Sequence, residues 1–233
     1  MPDLIIKPAA QSGNKVIIQD QAGGAVLTTA DSGATLASNV TGSPAITGFG
    51  TVTSGTLGSA VTFPTGHVLQ AVIGSNLAAS TGTNVAHTSS SSSWPTIVSG
   101  VITPSAATSQ ILINFTVQLS GDGGSFALHI LRGSHEVGQA AASSNRARGY
   151  FAGGAINGGA GSNQYDLATY SGVFLDDISS GSAWSSGSIT YYIKLSFYTG
   201  SGTYRINRTQ EHRDNAAGYD GVASSHIVLQ EIA

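Results

Sequence analysis

Glycine, serine and threonine interrupt every apolar stretch of this chain, so no segment longer than about ten residues carries large apolar side chains at helical spacing. Gly loses backbone freedom in a helix, and Ser and Thr offer the backbone competing hydrogen bonds, so helices are disfavoured throughout. An almost entirely β chain is expected. Alternation supports this: Ile111, Ile113, Phe115, Val117 and Leu119 fall on one strand face, while Leu112, Asn114, Thr116 and Gln118 fall on the other. Tyr191, Ile193, Leu195 and Phe197 repeat the pattern. Hydrophobic residues make up 40% of the 233 positions, enough for one real core. Charged residues reach only 9%, far below the ~25% of an ordinary soluble domain, which excludes a coiled coil or a charged disordered tail.

The texture changes near residues 64–67. Before this point the apolar runs are short: 4–7, 15–20 and 25–28, separated by turn-like Gly, Asn and Gln. From 37 to 63, Val40, Ile46, Phe49, Val52, Leu57, Val61 and Phe63 stand isolated among Gly, Thr and Ser. Such a segment buries too little to fold alone. It reads either as a disordered linker or as a shaft in which several copies wind together and each apolar residue meets its symmetry mates. Beyond residue 66, strand-like runs occur at 67–73, 96–102, 110–119, 126–131, 170–175, 189–198, 203–208 and 226–232. About eight to ten strands with Gly, Ser and Asp turns describe a sandwich or jelly roll. Segments 89–93 and 152–163 are expected as surface loops. The domain expectation is a segment 1–36, a shaft 37–65 and a head 66–233.

Function classes can be narrowed from the same residues. A net charge of −3 and a pI near 6.0 create no field to attract nucleic acid or anionic lipid. The absence of Cys removes disulfides, thiolate metal sites and Cys nucleophiles. No run reaches the ~18 apolar residues of a membrane-spanning helix, and the first residues lack a signal-peptide pattern.

The six His residues, His67, His87, His129, His135, His212 and His226, show no metal-ligand spacing, although a site assembled in three dimensions stays open. His129 shares a strand face with Ala127 and Leu131 and is expected to be a hydrogen-bonded structural histidine. Asp176-Asp177 ends a strand and is expected to form a turn. Glu211-His212-Arg213-Asp214 contains the kinase loop triplet, but Tyr219 stands where that motif needs Asn. The Gly-rich 153–161 segment fits no phosphate cradle, and no G-x-S-x-G elbow sits in an alternating strand-helix pattern. A non-enzymatic protein with no cofactor and no metal is expected. Arg146 and Arg148 precede Tyr150, and Arg205, Arg208 and Arg213 surround Tyr204 and Tyr219. Forked guanidiniums beside aromatic rings suit a recognition surface. The alternative is pairing with Asp166, Glu211, Asp214 and Asp220.

Three stretches carry a family resemblance: 4–8 with 13–20 and 23–28, 50–64 running into 66–70, and the head, including 102–105, 109–113, 131–134 and 226–232. Together they resemble structural proteins of tailed bacteriophages, especially fibre and decoration proteins of phages of marine and freshwater bacteria. The resemblance implies a virion anchor formed by Leu4, Ile5, Ile6, Lys7, Val16, Ile17, Ile18, Val26 and Leu27. It implies an intertwined trimeric shaft around Val52, Leu57, Val61 and Phe63, and a trimeric β-sandwich head similar to complement and tumour-necrosis-factor knobs. The implied partners are the chain itself as a homotrimer, capsid or tail proteins, and a host surface glycan or protein. The implied location is the virion surface, after synthesis in the host cytoplasm. A shaft of some 27 residues extends at most about 90 Å, which suits a short fibre or capsid decoration. Rival readings are a receptor-binding tail fibre, a secreted lectin or adhesin, or a tailspike-type polysaccharide-degrading module using Asp176, Asp177, Glu211 and Asp214.

Overall fold

The computed structural model describes residues 16–19, 21–23, 25–30, 33–36, 65–121, 124–142, 144, 146, 148–156, 166–198, 202–210 and 221–233. Strands, turns and bends account for its regular structure, with no helix among the described residues. The chain divides into two compact units, Met1–Val61 and Thr62–Ala233.

In the first unit, β1 (Ile17–Gln19), β2 (Ala25–Ala30) and β3 (Gly33–Leu36) form an antiparallel sheet in that order. Gly23 has φ 85°, a left-handed value that lets the β1–β2 turn close, and its carbonyl accepts a bond from Gln19 Nε2. Ile17 and Ile18 are about half exposed. Strand β3 was not expected from the sequence, because Gly-Ala-Thr-Leu carries little strand signal of its own and is ordered by pairing with β2. The anchor residues Leu4, Ile5, Ile6 and Lys7 and the shaft residues Val52, Leu57, Val61 and Phe63 lie outside the described residues.

The second unit contains β4 (Val68–Asn76), β5 (Ser80–Thr83), β6 (Thr96–Ile102), β7 (Gln110–Gly121), β8 (Ser125–Arg132), β9 (His135–Val137), β10 (Phe151–Ala155), β11 (Ala168–Asp177), β12 (Ile189–Phe197), β13 (Thr203–Ile206) and β14 (Ser225–Ile232). One antiparallel sheet runs β10-β8-β12-β6, with β9 on β8; the other runs β4-β14-β7-β13-β5, with β11 on β7. The short strands β5, β9 and β10 exceed the eight to ten expected. Segment 152–163 is not wholly a surface loop, because Ala152 and Ala155 pair with Ala127 and Ser125, and Ile156 is fully buried. Small residues suffice there, since the pairing is made by backbone groups.

The alternating residues of β7 point inward, and Ile111, Ile113, Val117 and Leu119 are completely buried. They meet Ile227 and Leu229 of β14 and, from the other sheet, Leu128, Ile130, Tyr191, Ile193, Leu195 and Phe197 in one core. Two sheets facing across a shared core make an antiparallel β-sandwich. Each fully buried large side chain stabilises this arrangement by roughly 1.5–3 kcal/mol. At one corner the edge strands nearly touch: a Cβ on Gly74 would lie 2.0 Å from the Ser99 carbonyl oxygen. The same corner is tied by Asn76 Nδ2, which donates to Ile97 O at 2.6 Å.

Asp176 and Asp177 divide their work. Asp177 forms the expected turn, its Oδ1 accepting from Ser179 N at 2.9 Å and Ser179 Oγ at 2.6 Å. Asp176 is instead buried, 3.0 Å from Arg132 Nη1 and 2.6 Å from the Tyr191 hydroxyl. Successive strand residues face opposite sides, so one carboxylate meets water and the other the interior.

Candidate functional site

The two outer faces of the sandwich differ. On the β10-β8-β12-β6 sheet, His129 and Ser196 point outward from β8 and β12, yet both are fully buried. The 84–95 segment covers them. Phe197 N donates to Val85 O and His87 N to Phe197 O, while Lys194 Nζ donates to Ser91 O at 2.9 Å. The Trp94 ring stacks on His129 at 4.0 Å between centroids, and His87 stacks on both rings at 5.4–5.7 Å.

Beneath this cover runs a polar chain that the sequence did not signal, because its members are scattered along the chain. His129 Nδ1 lies 2.5 Å from Glu136 Oε1, and Nε2 lies 2.8 Å from Ser196 Oγ. Gln139 Nε2 donates to Glu136 Oε2, and His87 Nδ1 is 3.2 Å from Ser196 Oγ. His129 Nδ1 thus faces the Glu136 carboxyl group and Nε2 faces the Ser196 hydroxyl. The order serine, histidine, carboxylate matches a hydrolytic triad. The serine, however, sits inside a strand and is fully buried. The network therefore satisfies buried polar groups, in keeping with the structural role expected for His129. Among the described residues no group of three or more His, Asp or Glu side chains is placed to hold a metal.

Acid should loosen this cover. Burial, and then the neighbouring His129, push the His87 pKa below its ordinary 6.5; Glu136 opposes the shift and Arg148 adds to it. A histidine with a lowered folded pKa binds fewer protons folded than unfolded. Its stabilising contribution is complete above about pH 6.5 and is lost as pH falls through 6.5 toward the lowered value. Thermal unfolding between about pH 7.5 and pH 5 should show a declining midpoint, and His87→Gln should flatten the decline. Equal slopes for the two proteins would remove His87 from the account.

Among the described residues nothing covers the opposite outer face. Across strands β11, β7, β14 and β4, the registers align Val173, Asn114, Val228 and Ile73 in one row. The next row is Leu175, Leu112, Gln230 and Ala71, and a third is Ser171, Thr116, His226 and Ser75. None of these positions is Asp, Glu, Lys or Arg; the row beyond Leu175 holds the exposed Asp177 with Gln110, Ile232 and Val68. Ile73 is 68% exposed, Val173 59% and Leu175 45%. The polar members pair among themselves: Thr116 Oγ1 with Ser171 Oγ at 3.0 Å, and His226 with Ser75 Oγ at 3.0 Å and Ser224 Oγ at 2.8 Å. Between Val173 and Val228 the surface dips into an open depression of ≈ 320 Å³, lined by Asn114, Thr116, Ser171 and His226.

The residues expected on a recognition surface are not gathered into one site. Tyr150 packs edge-on against Phe115, and its hydroxyl donates to Val173 O and accepts from Val173 N. Tyr204 stacks on Phe197 above Gly82. Arg208 binds the carbonyls of Thr209 and Gln210. Arg146 is exposed and Arg148 half-buried, while Arg213, Glu211 and Asp214 lie outside the described residues. Both tyrosine rings thus serve packing, which a sequence cannot distinguish from surface display.

Fold and surface define an antiparallel β-sandwich with one covered and one bare sheet face. Compared with known proteins, the chain matches no family model and no curated sequence.

Proposed function

We propose that this chain is a non-enzymatic surface protein of a tailed-bacteriophage virion, assembled as a homotrimer. Residues 1–36 attach to a capsid or tail protein, 37–65 form a short intertwined shaft, and 66–233 form a jelly-roll-like head. The head serves capsid stabilisation or adhesion to a host surface. The observation that carries this reading is the outer face of β4, β14, β7 and β11, three adjacent rows of which hold no Asp, Glu, Lys or Arg and are left uncovered by the described residues. Water penalises such a face, and an identical copy covers it without meeting an opposing charge. The low charge content of the whole chain points the same way.

The polysaccharide-degrading alternative loses one candidate acid, because Asp176 is committed to Arg132 and Tyr191 inside the fold. Light scattering on the full chain during size-exclusion chromatography is the test. The expected mass is three times 23.5 kDa, and a folded monomer at micromolar concentration overturns the proposal. Imaging of purified particles then distinguishes capsid from tail placement.

A further inference from the structure

We infer that the Tyr150 hydroxyl is an autoinhibitory contact: it occupies the free edge of β11 and keeps a second copy of the chain from adding its own β11 there. This goes beyond the virion reading and does not depend on it. Among the described strands β11 pairs only with β7, so its other side is a sheet edge. In an antiparallel pair the backbone groups of alternate residues point away from the partner strand. Val173 is one of these, because its N–H donates to the Tyr150 oxygen at 2.9 Å and its carbonyl accepts from the Tyr150 hydroxyl at 2.8 Å. Thr169, Ser171, Leu175 and Asp177 share that direction. A hydroxyl that donates and accepts at one residue does there what the backbone of a neighbouring strand would do.

The hydroxyl is delivered from the opposite sheet. Tyr150 N donates to Leu128 O of β8 at 2.9 Å, and the ring lies edge-on against Phe115 and Phe174. Gly172 makes the passage, since a Cβ at that position would collide with the Tyr150 ring and lie 2.6 Å from Phe115. Toward the end of the strand a second stop exists, where Asp177 O accepts from Arg132 Nη1 at 3.1 Å and from Ser180 N at 3.2 Å. The outward backbone groups of Ser171 and Leu175, on either side of Tyr150, have no partner among the described residues. A strand could dock on them only by displacing the tyrosine hydroxyl between them.

Self-complementarity selects a second copy as the strand kept out. Unpaired edges template the addition of further strands. Two β11 strands laid antiparallel about a two-fold axis at Val173 set Val173 opposite Val173, Ser171 opposite Leu175 and Thr169 opposite Asp177, so no like charges meet. The exposed Val173 and Leu175 would add apolar contacts across the pair.

Tyr150→Phe keeps the ring and removes the hydroxyl. Light scattering of the full chain across a concentration series is expected to give a mass about twofold or more above that of the parent protein, with an unchanged far-ultraviolet circular dichroism spectrum. In a Val173→Lys background two ammonium groups would face each other at the pair axis, so there the same Tyr150→Phe change should leave the mass unmoved. Each variant is compared with its own Tyr150 parent, so the outcome does not turn on how many copies that parent contains. A folded Tyr150→Phe protein at the parent mass overturns the proposal. A mass increase that persists in the Val173→Lys background also overturns it, by placing the association elsewhere. A Tyr150→Phe chain that loses its β spectrum overturns it as well, assigning the hydroxyl to folding.

Discussion

Asp176→Ala is expected to destabilise the Thr62–Ala233 unit by about 3–5 kcal/mol, the usual cost of leaving one member of a buried ion pair alone. Arg132 and Asp176 face each other with side chains only 6% and 5% exposed. Arg132 also donates from Nη1 to Asp177 O at 3.1 Å and from Nη2 to Ser180 O at 2.6 Å, binding the 177–180 turn to β8. The Tyr191 hydroxyl donates to the same Asp176 oxygen at 2.6 Å. Burial, reinforced by that bond and the carboxylate charge, holds the Tyr191 pKa far above its ordinary 10, so it remains a donor at any physiological pH. Alanine would remove the acceptor from two buried donors at once. Urea unfolding followed by circular dichroism measures the loss. The double variant Arg132→Met, Asp176→Leu should recover only part of it, because an apolar pair carries no desolvation penalty but still leaves the buried Tyr191 hydroxyl without its acceptor. A single-variant loss below about 1 kcal/mol would show that the guanidinium reaches water instead.

The second large effect is expected at Glu231, which is fully buried near the end of β14. Its Oε1 accepts from Ser105 N at 2.7 Å, Ser105 Oγ at 2.6 Å and Ser109 Oγ at 2.7 Å, and its Oε2 accepts from Gln70 Nε2 at 2.6 Å. One carboxylate thereby fastens β4 and the 103–109 connection to the sheet. Glu231→Ala should cost about 3 kcal/mol, since each buried donor left without a partner costs about 1–3 kcal/mol and some will recruit water. Glu231→Gln is isosteric yet faces an amide nitrogen toward Gln70 Nε2, so it should lose less than alanine without matching the parent.

The acid limb reports on the same group. Burial opposes ionisation of Glu231, but the bonds from Gln70, Ser105 and Ser109 outweigh it, and the pKa lies below its ordinary 4.5. The unfolded chain then takes up the proton first. The contribution of Glu231 is present above about pH 4.5 and fades as pH falls through that value to the lowered one. Glu231→Gln should flatten the corresponding fall in urea midpoint. An unaltered acid limb would assign it to other carboxylates.

Legibility followed the range of the forces involved. Period-two alternation identified β7 and β12 directly, because which side of a strand is apolar is a local property of its residues. Strands β3, β5, β9 and β10 escaped notice, since Gly-Ala-Thr-Leu or Ser-Thr-Gly-Thr becomes a strand only when a neighbour offers its backbone. The Ser196, His129 and Glu136 chain was invisible for a related reason. His129 and Ser196 are 67 positions apart, and only the pairing of β8 with β12 brings them together.

The bare face shows the division most plainly. The alternate residues of β7, including Leu112 and Asn114, are set by the sequence to point away from the core. Whether that side meets water, a loop or a neighbour depends on the other elements: 84–95 covers one sheet, and nothing among the described residues covers the other. Amino-acid order by itself determined that this chain is β, poor in charge and able to build one core, because propensity and alternation act over a few residues. The tertiary structure decided which polar groups are buried together and which apolar row is left open, because burial is a property of the whole packed arrangement.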